Sequence, residues 1–154
     1  MPYEIRTTRR VEFAETDKAG IVHFSNFFRY MEEAEHAFLR SIGSSVVTRS
    51  NDIELSWPRV SAAFDFRSPA FFEDVLDVHV WVARKGEKSV EYRVAISREG
   101  TPLARGRLTS VCCICHPNHR MQSVPIPKEV SEKIEVAPYG DEPACWAAAA
   151  GEAS

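Results

Sequence analysis

Residues Glu15-Thr16-Asp17-Lys18-Ala19-Gly20-Ile21-Val22-His23-Phe24-Ser25-Asn26 join a strand-like segment to the one long helical pattern in the chain. Polar and apolar residues alternate over residues 3–13, and the helical pattern begins near Phe24. The acid Asp17 therefore lies in a Gly-containing turn close to a helix N-terminus. A carboxylate can attack or deprotonate, and the unpaired N–H groups of a first helical turn can stabilise an oxyanion. The stretch predicts that these two groups lie close together.

The pattern that follows predicts an amphipathic helix over residues 24–42. Its apolar stripe consists of Phe27, Met31, Ala34 and Phe38, widened by Tyr30 and Ile42. Its polar side consists of Arg29, Glu32, Glu33, His36 and Arg40. Gly43 is a plausible C-terminal stop. We interpret the stripe as a face that packs against the core.

The remainder of the chain is mostly strand-like. Alternation predicts strands over 60–66, 76–82, 90–96 and 103–115, with hairpin turns at 85–88 and 98–101. One face of the last strand carries the small or apolar residues Ala104, Gly106, Leu108 and Ser110, which would let a helix or a sheet approach closely. A short helix is predicted over 128–134. The sequence thus predicts an α+β fold: one strand, a long helix, then four long strands in a meander.

Length and composition fit one domain of ordinary globular type. The 154 residues are 44% hydrophobic and 27% charged, with a net charge of −3. We predict one domain over residues 1–143 and a poorly ordered tail over 144–154. The charge gives no reason to expect nucleic acid, and no apolar stretch is long enough to cross a bilayer. Because no signal peptide is visible, we expect a cytoplasmic protein.

The cysteines raise the question of a metal or haem site. Cys112-Cys113-Ile114-Cys115-His116 matches a haem-attachment spacing, and His119 follows closely. In one continuous strand, however, Cys112 and Cys115 would point to opposite faces. We therefore expect reduced strand cysteines and no metal.

The run from Glu15 to Asn26 resembles the active-site segment of hotdog-fold acyl-CoA thioesterases, in the 4-hydroxybenzoyl-CoA thioesterase-like branch. That pattern reads acid-(Thr/Cys)-Asp-x-x-Gly-(Ile/Val)-Val-x-(aromatic or His)-x-Asn. Residues 58–66 and 111–120 resemble later strands of the same family. The resemblance implies a long central helix wrapped by an antiparallel sheet. It also implies subunits joined edge to edge as a homodimer or a dimer of dimers, with active sites at the subunit interface.

Site residues follow from the resemblance by position. Asp17 matches the family's catalytic carboxylate, as nucleophile or general base, and the backbone N–H of Phe24 matches the donor that polarises the carbonyl. Gly20 and His23 are predicted to contact the substrate, with a solvated or turn-packing histidine as the alternative for His23. Glu15 is interpreted as a solvated acid at the end of a strand.

Binding residues for the rest of an acyl-CoA are predicted more broadly. Ser61 is a candidate for the acyl pocket, and Arg84, Lys85 and Lys88 are candidates for the phosphates of coenzyme A. The alternative for each cation taken singly, and the usual reading of such a charge run, is a solvated charge. An aromatic acyl pocket could be built from Phe24, Phe27, Phe28, Trp57 and Phe64, which are otherwise ordinary core aromatics.

The function predicted from the sequence is hydrolysis of an aryl- or short- to medium-chain acyl-CoA to free acid and coenzyme A. No cofactor is expected, because coenzyme A is part of the substrate. Two alternatives stay open, a hotdog dehydratase or hydratase and a non-catalytic acyl-CoA-binding protein. His23-Phe24 echoes the start of the dehydratase helix, but Ser25-Asn26 departs from that pattern. A covalent anhydride and direct attack by water are both left open.

Overall fold

The computed structural model describes residues 2–50, 53–118 and 120–141. The predicted tail and His119 lie outside the described residues. The helices are α1 (Ser25–Ser41) and α2 (Lys128–Ser131), and a 3₁₀ turn spans Phe13–Glu15. The strands are β1 (Glu4–Arg10), β2 (Val47–Ser50), β3 (Ile53–Ser56), β4 (Arg59–Phe66), β5 (Val75–Lys85), β6 (Ser89–Arg98), β7 (Thr101–Val111), β8 (Cys113–Cys115) and β9 (Met121–Ser123).

The long helix is confirmed. Phe24 and Ile42 cap α1, and Gly43 ends it with a left-handed backbone, φ +74°. The predicted apolar stripe faces the core, since Phe27, Tyr30, Met31, Ala34 and Phe38 are all buried. Helix α2 is shorter than predicted and ends at Ser131.

The main sheet is antiparallel and has the strand order β1-β5-β6-β7-β4. The predicted meander of four strands is wrong at its first member. Only β5, β6 and β7 form a meander, whereas β4 crosses over to pair with β7. The connection after β4 explains this order, because the Arg67 N–H donates to Leu103 O and Ala70 O accepts from Val22 N–H, both at 2.8 Å. These bonds direct the connection after β4 away from β7, so that the next strand, β5, pairs with β1.

The predicted strand over 103–115 is interrupted at Cys112. Its N–H donates to Lys88 O at 2.7 Å and its carbonyl accepts from Val124 N–H at 2.9 Å, so the backbone leaves the main ladder. Beyond it, Cys113 begins β8, in a separate four-stranded sheet of order β2-β3-β8-β9. Cys112 and Cys113 are both buried, and the expectation of one continuous strand is wrong.

The core lies between α1 and one face of the main sheet. One small residue of β7, Gly106, is required by the neighbouring strand of the same sheet. A Cβ atom on Gly106 would lie 2.8 Å from the carbonyl oxygen of Ala63 and 2.9 Å from a ring carbon of Phe64. Because that contact is too short for a real Cβ, glycine is required where the Phe64 ring covers β7. Within the described residues, no helix is long and apolar enough to cross a membrane.

Candidate active site

Asp17 occupies a tight turn that its own side chain stabilises. Oδ1 accepts a hydrogen bond from Ala19 N–H at 2.8 Å, and the Asp17 carbonyl accepts from Gly20 N–H at 2.9 Å. Gly20 has φ +81°, a left-handed conformation that favours glycine. The other carboxylate oxygen, Oδ2, has no hydrogen-bond partner in the described part of the chain. The side chain is half-buried, so Asp17 presents one oxygen to an incoming group.

At the start of α1, one backbone donor has no acceptor in the part of the chain that the structure describes. Ser25 N–H donates to Nδ1 of His23 at 3.3 Å, and Asn26 N–H donates to His23 O at 2.9 Å. Phe27 N–H donates to Phe24 O at 3.2 Å. The N–H of Phe24 itself has no acceptor among the described residues. A free donor at the positive end of a helix is suited to binding an anionic oxygen.

Backbone pairing holds the Asp17 turn beside the start of this helix. Thr16 and Val22 form an antiparallel bridge, and Asp17 N–H donates to Ile21 O at 2.8 Å. On the other side, Ile21 is bridged to Phe71. The segment with Asp17 and the segment leading into Phe24 are therefore two arms of one small ladder.

Glu15 is buried and paired, so its interpretation as a solvated acid is wrong. Its carboxylate accepts hydrogen bonds from Arg9 and from the hydroxyl of Tyr30, with Arg9 Nη2 at 2.8 Å and Tyr30 Oη at 3.0 Å. Burial, together with the Glu15 carboxylate, raises the pKa of Tyr30, which stays protonated and donates. The available signal was Arg9, a charge at the inward position of β1 that requires an acidic partner.

His23 is exposed and makes only local contacts. Its Nδ1 lies 2.8 Å from the hydroxyl oxygen of Ser25, and its ring packs on the Phe24 ring with centroids 4.7 Å apart. These contacts fit a histidine that shapes the start of the helix. They leave its substrate contact a prediction.

An aromatic cluster lies beside this helix start, between α1 and the end of β4. The ring centroids of Phe28 and Phe64 are 5.0 Å apart, and those of Phe27 and Phe66 are 5.2 Å apart. Of the five aromatics considered from the sequence, Phe27, Phe28 and Phe64 meet here. Trp57 is buried elsewhere, and Phe24 is 60% exposed. Phe66 belongs to the cluster and was missed, although it alternates with Phe64 on the same face of β4.

Ser61 lies on the other side of the sheet. It is opposite Thr109 in the β4–β7 register, whereas the neighbouring pair Ala62–Leu108 faces α1. Because alternate residues of a strand point to opposite faces, Ser61 points away from the aromatic cluster. The structure does not bring it together with Asp17 in one protomer, and its acyl-pocket role stays a prediction.

The three predicted phosphate-binding cations differ in the contacts that they already make within the protein. Lys85 Nζ donates to the carbonyls of Ser131 and Ile134 at 2.9 and 2.8 Å. Arg84 is exposed and lies 3.6 Å from Asp141 and 3.8 Å from Glu91. Lys88 is exposed, and its ammonium has no partner in the described residues. Lys88 is thus the most available of the three for a ligand.

Asp17 and the Lys88 hairpin lie at opposite ends of the main sheet. Near Asp17, Val11 N–H donates to Asp74 O at 2.8 Å, which places the turn beside the start of β5. The hairpin follows the other end of β5, and β5 is 11 residues long. At about 3.3 Å per residue the two ends are roughly 30 Å apart. One protomer therefore does not place these cations at the carboxylate.

A second buried carboxylate, Glu35, was also missed from the sequence. It lies on the buried side of α1, and it accepts hydrogen bonds from Arg59 Nη2 at 2.6 Å and the Ser110 hydroxyl at 3.3 Å. Burial raises its pKa, and the Arg59 guanidinium opposes that shift. Glu35 lies about three helical turns after Phe24, too far along α1 to belong to the same site. Its position between Ala34 and Phe38 was the signal for a buried ion pair.

The cysteines lie in no cluster of metal ligands within the described residues. Across residues 2–50, 53–118 and 120–141, no group of three or more His, Cys, Asp or Glu side chains could hold a metal ion. Burial raises the pKa of the Cys112 thiol to about 11, with the neighbouring Cys113 adding to the shift. Cys112 is therefore a protonated, packed side chain at neutral pH.

Comparisons with known proteins support the fold and the class of protein. A protein from Aquifex aeolicus (strain VF5) called a putative esterase is 36% identical over 135 residues, covering 88% of this chain and 99% of that protein. A 1,4-dihydroxy-2-naphthoyl-CoA hydrolase from Trichodesmium erythraeum is 31% identical over 114 residues, covering 73% of this chain and 82% of that protein.

A solved structure of a thioesterase is also similar to this chain in its fold. The crystal structure of a 1,4-dihydroxy-2-naphthoyl-CoA thioesterase from Synechocystis has a TM-score of 0.72 and 26% identity, covering 85% of this chain and 95% of that one. The α+β hotdog fold and the thioesterase class predicted from the sequence are confirmed. A family model described as "Thioesterase-like superfamily" matches residues 11–134, so this chain belongs to the thioesterase-like superfamily.

Proposed function

We propose that this protein hydrolyses the thioester of an aryl-CoA, with Asp17 as nucleophile or general base and Phe24 N–H as the oxyanion donor. One observation supports the proposal most. A carboxylate oxygen and a helix-start N–H, both without a partner among the described residues, lie on the two arms of one small ladder. A thioester is already electrophilic, so one placed carboxylate and one oriented donor can suffice for its hydrolysis.

Two chemical routes use this pair of groups. In the covalent route, an Asp17 oxygen attacks the carbonyl carbon, the C–S bond breaks, and the coenzyme A thiolate leaves. Water then hydrolyses the resulting anhydride, which releases the acid and regenerates the carboxylate. In the direct route, Asp17 takes a proton from water as that water attacks the carbonyl, and collapse of the intermediate expels the thiolate, which receives the proton as the Asp17 carboxylate is regenerated. Neither route calls for a metal or cofactor, because Asp17 supplies the nucleophile or base and Phe24 N–H supplies the oxyanion donor. Coenzyme A is part of the substrate.

The acyl group proposed is aromatic. The cluster of Phe27, Phe28, Phe64 and Phe66 offers ring edges and faces close to the helix start. Aromatic rings pair favourably in edge-to-face and offset arrangements, beyond the area that they bury. The relatives from Trichodesmium erythraeum and Synechocystis are both named for an aryl-CoA substrate.

A dimer is part of the proposal. The two edges of the main sheet differ, because β1 carries Arg6 and Arg10 as exposed charges, whereas β4 exposes Val60 (63%) and Phe66 (49%). Long apolar edges invite pairing, and charged edges resist it. We therefore propose that two copies pair their β4 strands antiparallel about a two-fold axis.

This pairing would complete the binding site. In one protomer, the Phe66 end of β4 lies on the Asp17 side and the Arg59 end lies on the Lys88 side, because Arg59 pairs with Ser110 next to the hairpin strands. Antiparallel pairing sets the Phe66 end of one copy against the Arg59 end of the other. The Lys88 hairpin of a second copy would then approach the acyl site and could bind the phosphates of coenzyme A.

Thiol release from a panel of CoA thioesters tests the proposal. The panel contains 4-hydroxybenzoyl-, benzoyl-, acetyl-, hexanoyl- and crotonyl-CoA, with absorbance to follow hydration of the last. We expect release of coenzyme A to be fastest with the aryl thioesters. Faster turnover of the aliphatic esters would refute the aryl assignment alone. Hydration of crotonyl-CoA without thiol release would identify a hydratase, and binding without turnover would identify a non-catalytic protein.

A further inference from the structure

Glu15, two residues before Asp17, has a carboxylate that the protein holds at both oxygens. Oε2 accepts from Arg9 Nη2 at 2.8 Å, and Oε1 accepts from Arg9 Nη1 at 3.2 Å. Oε1 also accepts from Tyr30 Oη at 3.0 Å and from the backbone N–H of Glu12 at 2.7 Å. Its side chain is 11% exposed. A carboxylate with this many charge-assisted bonds is fixed in place, and both of its oxygens already face groups of the protein.

The backbone of the same residue holds the start of α1. The carbonyl of Glu15 accepts from His23 N–H and from Nδ2 of Asn26, both at 2.9 Å. Phe24 directly follows His23, and its N–H has no acceptor among the described residues. Asp17 follows Glu15 by two residues, and its Oδ2 has no partner in the same part of the chain. One residue thus anchors both arms of the ladder that carries the proposed catalytic groups.

The anchor reaches two larger elements as well. Arg9 belongs to β1, and its Nε donates to Glu33 of α1 at 2.9 Å, while its guanidinium lies 5.2 Å from the centroid of the Tyr30 ring. Around Glu15, ion pairs and hydrogen bonds therefore connect β1 to α1. The Asp17 turn beyond it is held mainly by its own backbone bonds.

We infer that Glu15 is a positioning residue that sets the geometry between Asp17 and the Phe24 N–H without contacting the substrate. The inference rests on the proposed roles of Asp17 and Phe24. Displacement of a reacting group by about 1 Å can cost on the order of 10²-fold in rate. Loosening this anchor should therefore lower kcat and leave KM nearly unchanged, because the acyl and nucleotide contacts are elsewhere.

Glu15→Gln is the primary test. The substitution keeps the shape and the acceptor for Tyr30 and Glu12, but it turns an amide N–H₂ towards the Arg9 guanidinium. We expect kcat to fall roughly 10- to 100-fold with little change in KM. Amide hydrogen exchange should become faster over residues 17–26, a readout that needs no substrate. Tyr30→Phe removes one of the bonds and should shift both readouts in the same direction by a smaller amount.

Glu35→Gln is the matched control, because Glu35 is the other buried carboxylate that an arginine holds against α1. It should lower the melting temperature at least as much as Glu15→Gln, since Glu35 is the more deeply buried. At a temperature well below melting, it should leave kcat and the exchange over residues 17–26 unchanged. Equal losses of kcat in the two variants would mean that loss of either buried ion pair destabilises the whole protein, and this result would overturn the inference.

Two further outcomes are decisive. A folded Glu15→Gln variant with the wild-type kcat, alongside an inactive Asp17→Asn variant, would overturn the role of Glu15 and leave the proposed function standing. Wild-type rates in both variants would reject the proposed function itself. If Glu15→Gln does not fold, Tyr30→Phe decides, and a kcat and exchange pattern equal to those of Glu35→Gln would overturn the inference.

Discussion

Arg59, at the start of β4, places its Nη2 atom 2.6 Å from Oε2 of Glu35, a carboxylate of α1 that is fully buried. This ion pair joins the long helix to the edge strand that we propose for dimerisation. Breaking a buried pair on one side leaves an uncompensated charge, which costs more than the pair itself contributes. The first prediction therefore concerns stability and its dependence on pH.

Arg59→Met should lower the free energy of unfolding by roughly 3 kcal/mol, the low end for buried pairs, because Arg59 is partly exposed. Burial raises the pKa of Glu35 above its ordinary value of 4.5. For an acid with a raised folded pKa, the associated stability is present below about 4.5 and is lost as pH rises through the folded pKa. Removing Arg59 raises that pKa further, so the loss should be larger at about pH 8 than at about pH 5.

Urea unfolding of wild type and Arg59→Met across this pH range measures the effect. The double variant Arg59→Met with Glu35→Gln is the control, because it removes the stranded charge. It should regain part of the lost stability and lose the added pH dependence. An Arg59→Met variant with the same deficit at every pH would contradict a role for Arg59 in holding the charge of the buried Glu35.

Replacing Lys85 and Lys88 together by Ala should raise KM for an acyl-CoA more than it lowers kcat. Both lysines lie far from the reacting carbon, so the lost energy is mostly uniform binding. Since Lys85 already donates to two carbonyls, we expect Lys88→Ala to account for most of the change in KM and Lys85→Ala for most of the loss in melting temperature.

Steady-state kinetics with a pantetheine thioester, which lacks the nucleotide, provide the comparison. The effect of Lys88→Ala should nearly vanish with this truncated substrate. An equal rise in KM for both substrates would remove Lys88 from the nucleotide site.

Val60→Lys should convert the protein to a monomer of about 17 kDa and raise KM, so that most of the activity at subsaturating acyl-CoA is lost. A lysine on an apolar edge strand opposes pairing with a second copy. Activity should fall with it, because the Lys88 hairpin and Asp17 lie at opposite ends of one protomer. Val136→Lys is the matched control, since Val136 is also exposed but lies outside the main sheet.

Light scattering and thiol release on the same samples test this prediction. Val136→Lys should keep the wild-type mass and rate. A fully active monomer, in either the wild type or Val60→Lys, would refute the proposed shared site.

Local patterns predicted the long helix and the strands of the main sheet, but not the short strands β2, β3 and β9 of the second sheet. The stripe from Phe27 to Phe38 identified α1, and Gly43 identified its end, because both are set by residues within one or two turns. The order of the strands in the sheet could not be predicted from local patterns. Alternation in β4 is the same whether the strand pairs with β5 or with β7, and the choice is made by contacts such as Arg67 to Leu103, which are distant in sequence.

Charged residues at core positions explain the rest of what was missed. Glu15 was treated as solvent-facing and Glu35 was passed over, because the local signals, the inward Arg9 and the apolar stripe around Glu35, do not say which charges pair. Each partner, Arg9 and Arg59, comes from a different element and is found only when the chain is folded. For Lys88, the local structure was predicted correctly, because the hairpin is where the sequence places it. Its distance from Asp17 was not predicted, because that distance depends on the length of β5.

Asp17 carries the central claim, and Asp17→Asn tests it with the least disturbance. Asparagine keeps the size of the side chain and an oxygen that can accept from Ala19 N–H, so the turn should survive. It removes the negative charge and the basicity that either chemical route needs. The melting temperature and KM should therefore stay close to those of the wild type.

The most direct measurement is the kcat of Asp17→Asn with the best aryl-CoA thioester of the panel. As nucleophile or general base, Asp17 should contribute roughly 10²- to 10⁴-fold, and kcat should fall by that factor. If Asp17 only braces the turn, the substitution would be nearly silent. A stable Asp17→Asn protein that keeps most of the wild-type rate would contradict the proposed mechanism.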